Sequence, residues 1–206
     1  MKNFDNKEHW ENIYQTKNLS EVSWYQPTPE TSLNFFKKFE VPLSAQIIDI
    51  GGGDSYLVDH LLELGYHNIS VLDISSAAIE RAKLRLGEKA DKVTWIISNI
   101  TTFVPTQNYD LWHDRAAFHF LTDELNISQY VETASKALSP NGILILGTFS
   151  EQGPTKCSGI EIKQYSCTTL VERLEDFFKK KECFYVDHNT PFDTVQNFVF
   201  CSFRKL

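Results

Sequence analysis

The sequence predicts an α/β fold: a seven-stranded, mostly parallel sheet with helices on both faces, closed by a C-terminal antiparallel hairpin. Three observations carry this. Short apolar runs alternate with amphipathic stretches along most of the chain, the pattern of parallel strands joined by crossover helices. The first apolar run stops at Gly51-Gly52-Gly53, and a helical pattern follows at once. The last two strand-like runs have no helical pattern between them, only a turn-rich stretch around Asn189-Thr190-Pro191, so they must pair antiparallel.

The elements follow in order. Residues 1–44 read as a helical lid or flank on a single domain of residues 1–206 whose core is 45–206. Within that flank Thr28-Pro29 starts a helix with proline at its first position, and Phe35, Phe36 and Phe39 supply its apolar side. Residues 46–50 form the first strand. Leu57, Leu61 and Leu64 then fall at helical spacing, with Gly65 as terminator. Residues 69–73 form the second strand. Ser75 or Ser76 caps the next helix, which sets Ile79, Ala82 and Leu86 on one face before Gly87. Residues 93–97 and 109–113 are the third and fourth strands. A helix over about 123–138 is broken by Ser139-Pro140-Asn141-Gly142, and the fully apolar run 143–147 suits the buried centre of a sheet. Thr169 and Glu172 form a capping box for a helix reaching Phe178. Residues 183–186 and 198–203 make the hairpin.

Composition narrows the function. The chain has 206 residues, 42% of them hydrophobic and 13% aromatic, enough for one well-packed domain. A formal net charge of -7 argues against nucleic acid as a partner. The single basic cluster, Lys179-Lys180-Lys181, reads as a solvated helix end favoured by the helix dipole. Four cysteines, Cys157, Cys167, Cys183 and Cys201, lack the spacing of a zinc site or a disulfide framework, so a reduced, cytoplasmic protein is expected. The histidines and carboxylates show no ligand spacing, and no metal is expected. The start MKNFDNKEHW has no apolar signal core and no run is long enough to span a bilayer, so no membrane association is expected.

Chemistry concentrates at the glycine turn, in Asp49-Ile50-Gly51-Gly52-Gly53-Asp54-Ser55. Glycines let the backbone turn sharply and approach a ligand, and the following helix N-terminus favours a negative group. Asp49 can accept from a ligand ammonium. Asp73, at the end of the second strand, can take both hydroxyls of a ribose. A nicotinamide-dinucleotide fingerprint would need a third glycine where Tyr56 stands, and no Tyr-x-x-x-Lys pair serves hydride chemistry, so an NAD-dependent oxidoreductase is the weaker reading.

The segment IIDIGGGDS resembles the first motif, and VLDIS the acidic second motif, of class I methyltransferases dependent on S-adenosylmethionine (SAM). SNI sits where that family often has an acidic-aliphatic pair beside the adenine, with Asn99 for the acid, and LSPNGIL resembles the turn before the fifth strand. The resemblance covers residues 45 to 203. It implies a Rossmann-like fold, SAM as cofactor with S-adenosylhomocysteine (SAH) as product, and a cofactor site of Asp49, Gly51, Gly52, Gly53, Asp73, Ile74, Asn99 and Ile100. More narrowly, HWENIY, SWYQ, HDRAAFHFL, CSG and HNTP resemble a bacterial branch without an assigned substrate. The start and SWYQ are also similar to protein lysine methyltransferases, whose Asp-Lys-Gly motif is replaced here by HDRAAF.

Ligands of open α/β sheets sit at the carboxyl ends of the strands, which for the fourth strand means His113-Asp114-Arg115. Asp114 or His113 is expected to orient or deprotonate the acceptor, with His119 nearby; the alternatives are an Asp114–Arg115 pair and a half-buried His119. Trp24 and Tyr25 are expected to close over the site as a lid, and the loop residue Cys157 lies within reach of a substrate or is an ordinary turn residue. His188, Asn189 and Thr190 are further candidates to line it. The function expected is methyl transfer to a small molecule, with a protein side chain or a non-catalytic SAM-binding module as alternatives.

Overall fold

In the computed structural model the described residues are 6–206; residues 1–5 of the expected N-terminal flank lie outside them. The flank holds α1 (Asn6–Thr16), a 3-10 turn (Leu19–Glu21) and α2 (Glu30–Lys38). Pro29 stands one position earlier than expected, just before the first residue of α2. The core then runs β1 (Ile47–Ile50), α3 (Leu57–Glu63), β2 (Ile69–Asp73), α4 (Ser76–Leu86), β3 (Val93–Ile97), β4 (Tyr109–Arg115), α5 (Glu124–Ala137) and β5 (Leu138–Phe149). A small hairpin, β6 (Lys156–Cys157) and β7 (Ile160–Glu161), precedes α6 (Cys167–Leu174), β8 (Phe178–Asn189) and β9 (Val195–Lys205).

The seven-stranded sheet has the order β3-β2-β1-β4-β5-β9-β8. The pairs among β1 to β5 are parallel, and β9 is antiparallel to both β5 and β8. Strand alternation divides the core into two. Ile47, Ile69, Val71, Leu111, Ile143 and Ile145 face α2, α3 and α4, packing with Phe35, Phe36, Leu57, Leu61 and Ile79. Ile48, Ile50, Leu72, Trp112, Leu144 and Leu146 face α5 and α6, packing with Ile127, Tyr130, Ala134, Leu170 and Leu174.

Several local expectations are corrected. Leu64 caps α3 with 56% of its surface exposed rather than joining its apolar face, while Gly65 turns the chain at φ 94°. Residues 139–142 do not break into a loop: α5 passes directly into β5, and the extra residues bulge where Tyr109 pairs with Leu138 and Leu111 with Ile143. Arg204 and Lys205 of β9 donate to the carbonyls of Asn141 and Leu138 and hold the bulge down. The capping box of α6 is Ser166 with Thr169, not Thr169 with Glu172, and the helix ends at Leu174. Phe178 begins β8 instead, so Lys179, Lys180 and Lys181 lie exposed on an edge strand, where lysines discourage pairing with another chain. Cys183 and Cys201 face each other across β8 and β9 and are joined by a disulfide, contrary to the expectation of four free thiols.

Candidate functional site

A cavity of about 310 Å³ opens at the carboxyl ends of β1, β2 and β4. One end is built by the glycine turn, Asp49, Asp73 and Ile74, with Ser98, Asn99 and Ile100 beyond β3. The other end is walled by Arg115, Phe120, Phe149, Cys157, Gln196 and Phe198. Trp10, Tyr14, Trp24 and Tyr25 of the N-terminal segment line its roof.

The turn after β1 is shaped by its glycines. Gly51 has φ 65°, and its N–H and that of Gly52 both donate to the Leu72 carbonyl. A Cβ on Gly52 would collide with Oδ2 of Asp49. The turn is anchored to α4 by buried Asp54, which is ion-paired to Arg81 and Arg85, while Arg85 also binds Asp59 and lies over the Tyr56 ring at 4.4 Å. Tyr56, which breaks the dinucleotide fingerprint, thus packs against an arginine.

Asp49 is buried, with one oxygen held and one free. Its Oδ1 lies 2.6 Å from Nδ1 of His113, whose Nε2 lies 2.8 Å from the hydroxyl of Ser32 on α2. Asp49 accepts from Nδ1–H, and Nε2 shares a second hydrogen bond with the Ser32 hydroxyl, which can serve as donor or acceptor. Oδ2 of Asp49 is buried without a hydrogen-bond partner beside the cavity. Asp73 accepts from the backbone N–H of Ser75 at 2.8 Å, with Gly53 and Ile74 adding their own. Burial outweighs these donors and raises its carboxyl to about 7.

Glu11 of α1, absent from the sequence reading, reaches across to this corner. Its carboxylate accepts from the hydroxyls of Ser75 and Ser76, each at 2.7 Å, and from the N–H of Ala77 at 3.1 Å. Ser75 in turn caps α4 by accepting from Ala78. Arg81 donates to the carbonyls of Tyr14 and Lys17, so both the middle and the C-terminal end of α1 are tied to α4. The side-chain oxygen of Asn99 accepts from the N–H and hydroxyl of Thr101 and caps its own 3-10 turn.

The fourth strand separates its candidates by face. His113 and Arg115 line the cavity; Asp114 and His119 do not. Asp114 points to the α5 side, where it accepts from Tyr130 at 2.7 Å and from the N–H groups of Ala117 and Phe118. Burial raises its carboxyl to about 6. It holds the turn after β4 and does not face the cavity as expected, nor does it pair with Arg115. His119 accepts at Nδ1 from the Phe149 N–H and lies between the Phe120 and Phe149 rings. Burial, helped by the nearby charge of Arg115, lowers it to about 3, so it stays neutral.

Arg115 enters the cavity from β4. Its Nη1 donates to the Trp24 carbonyl at 3.1 Å and its guanidinium lies 5.2 Å from the centre of the Phe198 ring, while Nη2 is buried without a partner. Burial lowers it to about 10, which leaves it charged at neutral pH. Trp24 packs on Trp10 and Tyr14, and Tyr25 on Tyr56. Cys157, on β6, is buried, and burial raises its thiol to about 11. Of the C-terminal candidates, His188 binds the Ser23 carbonyl at 2.8 Å and does not line the cavity; neither do Asn189 and Thr190, whereas Gln196 and Phe198 of β9 do.

These features suit the cofactor that the sequence resemblance implies. A buried carboxylate oxygen stands unpartnered where an ammonium is required, and the glycines let the turn pack directly against Asp49, Asp73 and Ala117, which holds these carboxylates at the cavity.

Residues 48–144 match a family model described as a methyltransferase domain. Among curated proteins, the chain is 26% identical over 129 residues to the eEF1A lysine and N-terminal methyltransferase of Mus musculus, covering 62% of this chain and 18% of that protein. It is 25% identical over 109 residues to nodulation protein S of Bradyrhizobium diazoefficiens, covering 53% and 51%. The chain therefore spans about a fifth to about half of these relatives. Among solved structures, the N-methyltransferase NodS of Bradyrhizobium japonicum WM9 in complex with SAH superposes with a TM-score of 0.71 at 16% identity, over 98% of this chain and 99% of that one. At that identity the likeness is one of fold.

Proposed function

We propose that this chain, whose fold is that of class I, Rossmann-like methyltransferases, transfers the methyl group of SAM to a small-molecule acceptor. The observation that carries this reading is the unpartnered Oδ2 of Asp49 at the glycine turn, a negative atom held out of water at the edge of a cavity. Bound there, SAM supplies an electrophilic methyl on a positively charged sulfur and leaves as SAH.

The residues then have distinct tasks. Asp49 accepts from the ammonium of the amino-acid moiety, held in place by His113 and Ser32. Backbone N–H groups at the start of α3 favour its carboxylate. Asp73 takes the ribose hydroxyls, and Ile74 and Ile100 flank the base. Trp24 and Tyr25 exclude water above the acceptor, which lies against Phe149 and Phe198. His113 acts by positioning Asp49, because both of its nitrogens are engaged. Alignment of the acceptor lone pair with the methyl carbon supplies the rate enhancement, as positioning does for a reactant that is already activated. Residues 6–44 serve as the lid of a single domain, and the acidic chain works without nucleic acid, membrane or metal.

SAH formation from SAM tests the reading, assayed with panels of small acids, amines and thiols and with protein extract. Turnover with a small molecule is expected. Turnover confined to protein would favour a lysine methyltransferase, and tight SAM binding without turnover on any class would favour a binding module.

A further inference from the structure

We propose that the acceptor is a small monocarboxylic acid whose carboxylate is bound by Arg115, and that Arg115 also excludes cationic acceptors such as a lysine side chain. The proposal rests on the methyltransferase reading and adds the substrate class to it.

Arg115 is the last residue of β4. It shares a face with His113, and His113 is in register with Asp49, so its guanidinium enters the same cavity as the free oxygen of Asp49. The described arginines on α4 and α6 are ion-paired: Arg81 and Arg85 to Asp54, and Arg173 to Glu124. Among the described residues Arg115 hydrogen-bonds the Trp24 carbonyl and lies over Phe198, and its Nη2 is buried without a hydrogen-bond partner. Asp49 shares the cavity and attracts the guanidinium but forms no ion pair with it, so Nη2 lies out of water with no acceptor, and a carboxylate placed there matches its charge and its planar donors.

The surroundings narrow the class. With Asp49 matched by the ammonium of the cofactor, the one guanidinium beside Phe149 and Phe198 balances one further negative charge. A dianion such as phosphate would carry a surplus charge into an apolar pocket that already holds Asp49. The Oε1 of Gln196, also buried and unpartnered in this wall, accepts from an N–H or O–H on the same acid. The aromatic walls suit an apolar or flat body. A lysine ammonium would instead have to enter beside a buried like charge in a medium that screens it poorly.

The test uses protein saturated with SAH, titrated with two sets of isosteric probes: benzoate, benzamide and benzylamine, then acetate and acetamide, which fit any pocket of this size. In at least one set the acid should bind roughly tenfold or more tighter than its amide, with benzylamine weakest. Arg115→Gln should abolish the preference while SAH still binds, and Arg115→Lys should restore part of it. If in neither set the acid exceeds the amide, or if benzylamine or inorganic phosphate binds more tightly than benzoate, the proposal is overturned. The wild-type comparison decides this even if Arg115→Gln fails to fold. Failure of SAH itself to bind would overturn the methyltransferase reading instead.

Discussion

At the scale of single residues, function turns on which way each side chain of β4 points. Successive strand residues face opposite sides, so His113 and Arg115 meet Asp49 in the cavity while Asp114 meets Tyr130 behind the sheet. The sequence pattern ends the strand at His113 and leaves an Asp114–Arg115 pair open; the strand in fact continues to Arg115, so the two side chains face opposite sides. The Asp49–His113–Ser32 chain was not legible, because it joins residues far apart in sequence. Replacing His113 by Ala leaves Asp49 and Ser32 without their shared partner; a loss of about 1–3 kcal/mol in urea unfolding is expected, together with weaker SAH binding by calorimetry. Unchanged SAH affinity would remove His113 as a positioning residue. Asp73 sets a pH dependence. Burial raises its folded value to about 7, above its unfolded value of 3.8. Its neutral form therefore stabilises the fold in acid, and that contribution is lost as pH rises toward 7. Hydroxyl donors favour the ionised form. SAH affinity should thus rise between about pH 5 and about pH 8, with proton uptake by the buffer seen by calorimetry in two buffers of different ionisation enthalpy. A flat profile would argue against Asp73 as the ribose ligand.

At the scale of elements, the parallel strands and their helices were legible because period and punctuation agree: apolar runs end in glycine or serine, and serine or aspartate caps begin the helices. The tail was misread where local signals conflict. A lysine run carries no period of its own, and only the pairing of β8 with β9 makes it a strand. The same register creates the Cys183–Cys201 bond, which sequence spacing alone does not suggest. Under denaturing, non-reducing conditions Cys157 and Cys167 alone should react with a thiol reagent, and all four cysteines after reduction. Four reactive thiols before reduction would show that the bond is not formed. The N-terminal segment depends on Glu11, whose carboxylate supplements the cap of α4 from another helix. Glu11→Ala should lower stability by about 1 kcal/mol, speed proteolysis within residues 6–28 and weaken SAH binding. Unchanged proteolysis would mean that the Trp10, Tyr14 and Trp24 cluster seats the segment without it.

For the whole molecule, the sheet places carboxylates at one end of the cavity and the guanidinium of Arg115 at the other, under a common aromatic roof. The glycine turn and Asp73 marked the first end in the sequence, since a ligand-binding turn needs particular residues at fixed offsets. The second end assembles from β4, β5, β6, β9 and the lid, each contributing one or two side chains without a motif. The most direct test of the cofactor assignment is calorimetric titration of the purified protein with SAM, SAH and NADH. Saturable binding of SAM and SAH, with no heat from NADH beyond dilution, is the expected result. Binding of NADH, or no binding of either SAM or SAH, would contradict the assignment of Asp49 and the glycine turn to a methyl donor.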